Sequence, residues 1–119
     1  MPVASSTYSV RSHFDGREPG VRATYDRLLE AARRLGPVEE EAKKTSIHLV
    51  RTTAFAGVAT RKTGLVLTLK LESSPKSQRI RKREQTSTNR WHVEVLLERP
   101  AEVDRELKGW LEQAYHLSS

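Results

Sequence analysis

Hydrophobic and polar residues alternate most regularly over residues 64–72, where Leu65, Leu67, Leu69 and Leu71 are interleaved with Val66, Thr68, Lys70 and Glu72. A period of two sends the four leucines to one face of a β-strand, whereas a helix would scatter them around its circumference. Leucine is not a strong strand former, so pattern prevails over propensity here. Residues 91–98 repeat the pattern, with Trp91, Val93, Val95 and Leu97 facing one way and His92, Glu94, Leu96 and Glu98 the other. In residues 46–51, Ile47 and Leu49 oppose Ser46, His48 and Val50. Residues 54–60 precede the polar run Arg61-Lys62-Thr63-Gly64, which reads as a hairpin loop. Gly57 and the alanines of that strand point to the close approach of another backbone or a helix. Residues 38–44, with three glutamates, are expected to form a short edge strand, and residues 79–86, with Ile80 as their one apolar residue, an exposed strand.

The flanking segments have a helical period. Val21, Tyr25, Leu28, Leu29, Ala32 and Leu35 form one stripe over residues 19–35, with Pro19 at the start and Gly36-Pro37 as the stop. Val103, Leu107, Trp110, Leu111, Ala114 and Leu117 form a second stripe, on a helix opened by Pro100 with Glu102 and Asp104 in its first turn. The connections between strands read as too short for parallel crossovers. The order predicts an α+β fold: two layers, with a mostly antiparallel four- to five-stranded sheet and the N- and C-terminal helices packed on one face. The other face is left partly open to water. The chain of 119 residues suits one domain, taken as residues 14–119 behind a mobile N-terminal tail of residues 1–13.

Composition narrows the chemistry. The chain has no cysteine, which excludes disulfides, thiolate zinc sites and cysteine nucleophiles. No apolar run approaches the roughly twenty residues that span a bilayer, and the N-terminus lacks the basic start and apolar core of a secretory signal. A cytoplasmic protein without membrane association is expected. The net charge of +6 is unevenly placed: residues 42–93 hold twelve basic and two acidic side chains, while residues 1–41 hold six and seven and residues 94–119 three and six. Such asymmetry is the sequence signature of a basic interaction surface, although lysine and arginine on a sheet also resist edge-to-edge aggregation. The candidate anion- or nucleic-acid-binding residues are Arg61, Lys62, Lys76, Arg79, Arg81, Lys82, Arg83 and Arg90. Phosphate backbones attract such cations irrespective of base sequence. A reader of single strands would add exposed aromatics, but Tyr25, Phe55, Trp91 and Trp110 are better placed in the core.

Catalytic signatures are missing. Ser46 and His48 share a strand face, but no nucleophile elbow or phosphate loop accompanies them. Glu94 and Glu98 lack the apolar shielding that would raise a carboxyl pKa. His48 and His92 share the open face near Lys70 and Glu94, and would approach each other if their strands were neighbours. No metal-ligand spacing joins them to a third group, so neither a metal nor a cofactor is expected.

Leu35-Gly36-Pro37-Val38, then Lys44-Thr45-Ser46-Ile47-His48-Leu49, then Ala54-Phe55-Ala56-Gly57-Val58 and the leucine strand, with Val103-Asp104, Trp110-Leu111 and Ala114-Tyr115 in the last helix, form a combined pattern. It resembles the bacterial domain-of-unknown-function family 5655 over about residues 14–117. The resemblance implies a small cytosolic α+β domain and no established activity. A looser likeness in element order to small bacterial domains likened to iron chaperones carries no iron site over. The family pattern also draws attention to Lys44, Thr45, Ser46 and His48 as a polar block, which is either a pocket or strand-start turn chemistry. The expected function is a non-catalytic binding module presenting a basic sheet or loop surface to nucleic acid or an acidic protein surface. The alternatives are a protein–protein or homodimerisation module and a small-ligand or enzymatic pocket around Lys44, Ser46 and His48.

Overall fold

The computed structural model describes residues 8–118. Two helices, α1 (Pro19–Arg33) and α2 (Arg105–Leu117), flank six strands: β1 (Glu39–Ala42), β2 (Ile47–Val50), β3 (Ala54–Thr60), β4 (Leu65–Leu71), β5 (Ile80–Ser87) and β6 (Arg90–Leu97). They form one sheet in the order β1-β2-β3-β4-β6-β5, and every neighbouring pair is antiparallel. The sheet thus has six strands rather than four or five. Each of the six segments read as a strand forms one, including the outermost EEEA and IRKREQTS, which bury little beyond Ile80.

One connection departs from the expected short hairpins. β5 lies beyond β6, so the chain leaving β4 must travel back along the sheet over residues 72–79 before β5 begins. β4 and β5 therefore run parallel with β6 between them. Two arginines pin this link. Arg83 donates through Nε to Ser74 Oγ at 2.8 Å and through Nη2 to the carbonyls of Pro75 and Ser77, each at 3.2 Å. Arg79 donates through Nη1 to Asp104 at 2.9 and 3.1 Å and to Glu106 at 3.2 Å, and through Nη2 to the Glu102 carbonyl at 2.7 Å. Its guanidinium also sits 5.8 Å from the Trp110 ring centroid.

The core lies between one sheet face and the helices. Leu65, Leu67, Leu69 and Leu71 are all fully buried, with Ile47, Leu49, Val58, Val93, Val95 and Leu97 beside them. The α1 stripe of Val21, Tyr25, Leu28 and Ala32 and the α2 stripe of Leu107, Leu111, Ala114 and Tyr115 cover that face. Each fully buried leucine contributes about 2 kcal/mol, so this layer outweighs any surface ion pair. A bulge in β3, between the pairs Leu49–Ala56 and Val50–Ala54, leaves Phe55 as the extra residue. Phe55 turns into the helix layer, edge-on to Tyr115 at 5.3 Å. Trp91 packs at the margin, only partly buried.

Helix α2 begins later than Pro100. Residues Pro100–Glu102 form a 3-10 turn, in which Glu102 Oε1 accepts from the backbone N–H groups of Glu98 and Arg99 at 2.6 and 3.1 Å. Asp104 is the N-cap and accepts from Leu107 N–H at 3.0 Å. Of the expected tail, residues 1–7 lie outside the described residues. The described part of it touches the domain: Tyr8 and Ser9 line a cleft with Glu40–Lys43, Val10 and Phe14 pack on the core, and His13 donates to the Lys43 carbonyl at 2.8 Å. Among the described residues no helix is long and apolar enough to cross a membrane.

Two outcomes follow for stability. Gly36 holds φ at +152°, and a Cβ there would collide with the Tyr115 hydroxyl, which donates to the Pro37 carbonyl at 3.1 Å. Gly36→Ala should cost roughly 1–3 kcal/mol, seen as a lower urea midpoint at unchanged slope. Arg79→Ala should cost roughly 1–2 kcal/mol because it strips hydrogen bonds from charged partners, whereas Arg81→Ala should stay within about 0.5 kcal/mol. Equal midpoints for the two arginine variants would contradict the pinning role of Arg79.

Candidate ligand site on the open face of the sheet

The strand registers place the residues that face away from the helices. His48 of β2 stands opposite Gly57 of β3, Gly57 opposite Thr68 of β4, and Thr68 opposite Glu94 of β6. One step along, Lys70 of β4 stands opposite His92 of β6, and His92 opposite Glu84 of β5. One step the other way, Ala59, Val66 and Leu96 form an apolar row. Leu96 is 38 % exposed.

Along the middle of this face β3 presents small residues, Ala54, Gly57 and Ala59, with Ala56 at the base of the same space. The result is a trough of about 370 Å³ with Ser46 and His48 on one wall and Thr68, Lys70 and His92 on the other. A Cβ at Gly57 would meet nothing closer than His48 Cδ2, at 3.7 Å. At Gly57 the small residue thus borders open space rather than another backbone or a helix, whereas Ala56 faces the core, where α2 contacts β3. The helices lie on the opposite face, where the leucines bury.

The five polar side chains of the trough share a property. Ser46, His48, Thr68, Lys70 and His92 make no side-chain hydrogen bond or ion pair with the described residues. The buried polar groups are engaged by the protein: Thr60 donates to the His13 carbonyl at 2.6 Å, Ser118 to the Thr53 carbonyl at 2.7 Å, and Tyr25 to Glu40 at 2.5 Å, whereas the trough residues are half-buried or exposed. At the Ala54 end, Lys70 and Arg90 line an adjoining cleft of about 50 Å³.

The candidates from sequence separate in space. Ser46 and His48 meet in the trough, but Lys44 and Thr45 do not line it. His48 and His92 are not on neighbouring strands: β3 and β4 intervene, so their strands are about 14 Å apart at the usual spacing, and His92 is offset by two residues along β6 from the residue in register with His48, Glu94. They flank the trough from opposite sides. No group of three or more His, Asp or Glu side chains converges among the described residues. The eight cations do not form one patch. Arg61 and Lys62 sit in the β3–β4 turn, which is closed by Arg61 N–H to the Gly64 carbonyl at 2.7 Å and holds the N–H of Glu18 on the Lys62 carbonyl. Arg90 opens β6 at the other end of the sheet. Arg79 and Arg83 hold the link 72–79. Lys76, Arg81 and Lys82 remain, with no acid in ion-pair reach among the described residues. Sequence reasoning passed over Thr68 and Lys70 as site residues, although their place opposite the leucines on β4 was the signal.

The pKa of His48 is lowered, chiefly by burial and then by repulsion from Lys43 and Lys70, against the opposing pull of Glu41. Its folded value lies below the ordinary 6.5, so in that window the unfolded chain binds more protons. The stability associated with neutral His48 is present above the ordinary value and is lost as pH falls through the folded one. His48→Gln should therefore show a smaller drop in urea midpoint between about pH 7.5 and pH 5 than the parent chain. Parallel curves would remove the effect.

A family model described as "Domain of unknown function (DUF5655)" matches residues 10–118. Neither the curated proteins nor the solved structures gave a match. The matched span begins at Val10, which packs on the core, and ends at Ser118, which closes α2 onto Thr53. With nearly its whole length inside that match, the chain belongs to the DUF5655 family of domains of unknown function.

Proposed function

We propose that this domain is a non-catalytic binding module and that the open-face trough is its ligand site. The observation that carries the reading is the set of five polar side chains around an apolar floor, none engaged by the protein itself. A concave apolar surface with a few convergent polar groups is the general form of a small-molecule site, and about 370 Å³ lies at the small end of the usual range. Binding is favoured over catalysis because Ser46 and His48 are not hydrogen-bonded to each other and no carboxylate lines the trough to orient a base. Gly57→Val provides the test, since its β-branched side chain suits a strand and would fill the floor. In a fragment titration followed by amide chemical shifts, perturbations should cluster at residues 46–48, 54–59, 68–70 and 92. Gly57→Val should abolish them while changing stability by no more than about 1 kcal/mol. Perturbations centred elsewhere would overturn the reading.

A second reading has its own observation. Lys76, Arg81 and Lys82 are cations without acid partners along the β4–β5 link and the outer strand β5, and they support contact with an anionic polymer or an acidic protein surface. Two or three such charges would give weak nucleic-acid binding with a log–log salt slope of about −2. Fluorescence anisotropy across a salt series checks this: Arg81→Ser with Lys82→Ser should bring binding near baseline. Unchanged binding in that double variant would reject it.

A further inference from the structure

We infer that the trough takes a small monoanionic carboxylic acid with a flat apolar body, its carboxylate held at the end where Lys70 and His92 face each other. The inference rests on the trough being the binding site and adds the class of ligand. All the polar groups of the lining can donate hydrogen bonds: the Lys70 ammonium, the hydroxyls of Ser46 and Thr68, and the imidazoles of His48 and His92. No carboxylate lines the trough. Lys70 has no ion partner, and Arg90 joins it in the adjoining cleft. Positive charge is thus gathered at the Ala54 end, while the other end is bounded by the Ser46 hydroxyl and the methyl of Ala59.

The surroundings restrict the charge of the ligand. In register with the lining stand Glu41 beside His48, Glu94 beside Thr68 and Glu84 beside His92. Glu41 is paired with Lys43 at 3.4 Å, and Lys82 stands next to Glu94 in register, so uncompensated negative charge is concentrated on the β6–β5 side, at Glu94 and Glu84. An anion confined to the Lys70 end is attracted, but a second anionic group reaching outward would meet like charge. This argues for a single carboxylate over a polyphosphate or a nucleic-acid strand. The floor restricts the shape. Ala54, Gly57 and Ala59 offer a shallow surface of methyls and one bare Cα, with His48 and His92 on either side. A planar ring fits such a floor better than a branched aliphatic body.

The test titrates the full chain with benzoate, with its neutral isostere benzamide and with the trianion benzene-1,3,5-tricarboxylate, followed by amide chemical shifts. Benzoate should bind with a dissociation constant of about 1–10 mM, the range open to so small a ligand. It should bind about tenfold more tightly than benzamide, because a charged hydrogen bond is roughly twice as strong as a neutral one. Lys70→Gln should reduce benzoate to the level of benzamide, and Lys70→Arg should retain most of the binding. Lys70 is exposed, so both variants should fold, as the unperturbed part of the spectrum would report. Equal binding of benzamide and benzoate, both abolished by Gly57→Val, would overturn the acid and leave the trough standing. Markedly tighter binding of the trianion would overturn the single charge. Shifts indifferent to Gly57→Val, or no shifts with any probe, would overturn both the ligand class and the site.

Discussion

A six-stranded sheet has two faces, and the helices of this chain cover one of them. The face against α1 and α2 takes the leucines of β4 and the valines of β6, all but fully buried. Because side chains alternate, each buried leucine on β4 fixes its neighbour outward. Val66, Thr68 and Lys70 face the open side because Leu65, Leu67, Leu69 and Leu71 face the core. The trough is thus a consequence of the core: a slip of one residue in the β4 register would bury Lys70 and expose four leucines, at a cost of several kcal/mol.

The cations show how charge in a sequence differs from charge on a surface. Residues 76–83 read as one basic run, yet its members do different work. Arg79 reaches back to the start of α2 and satisfies Asp104 and Glu106, and Arg83 ties down the link that crosses β6. Both stabilise the one non-hairpin connection in the sheet. Replacing the whole run would remove these anchors together with the free charges of Arg81 and Lys82, so a loss of binding in such a variant would say little about binding. The partners of Arg79 lie some way along the chain, and nothing local to residues 79–83 reveals them.

Periodicity made the covered layer legible. The leucine strand and both helical stripes follow from where apolar residues recur, and the antiparallel arrangement from the shortness of the connections. Edge strands β1 and β5 are visible only as polar segments between stronger signals, because Ile80 is the one buried residue between them and a single core contact imposes no alternation. The 3-10 turn at Pro100 was missed because proline fits the start of either helix, and only the cap geometry at Asp104 separates them. On the open face, Ser46 and His48 were identified from their shared strand side. Lys70 and His92 join them through strand order, which a single sequence does not contain.

Gly57 is the point at which these arguments meet. A glycine inside a strand costs about 0.5–1 kcal/mol relative to alanine, and a central strand usually offsets such a cost through a bulge or the close approach of another backbone. Neither applies. The β3 bulge lies earlier, at Phe55, Gly57 needs no left-handed conformation, and an added Cβ would meet His48 at ordinary contact distance. The fold would accept a side chain there, and what the missing side chain provides is space. That space opens where five polar side chains are unengaged, each able to gain hydrogen bonds from a bound group. A cost in strand propensity and a set of unused donors coincide on one patch of a face that the helices leave bare, and the ligand proposed here would account for both.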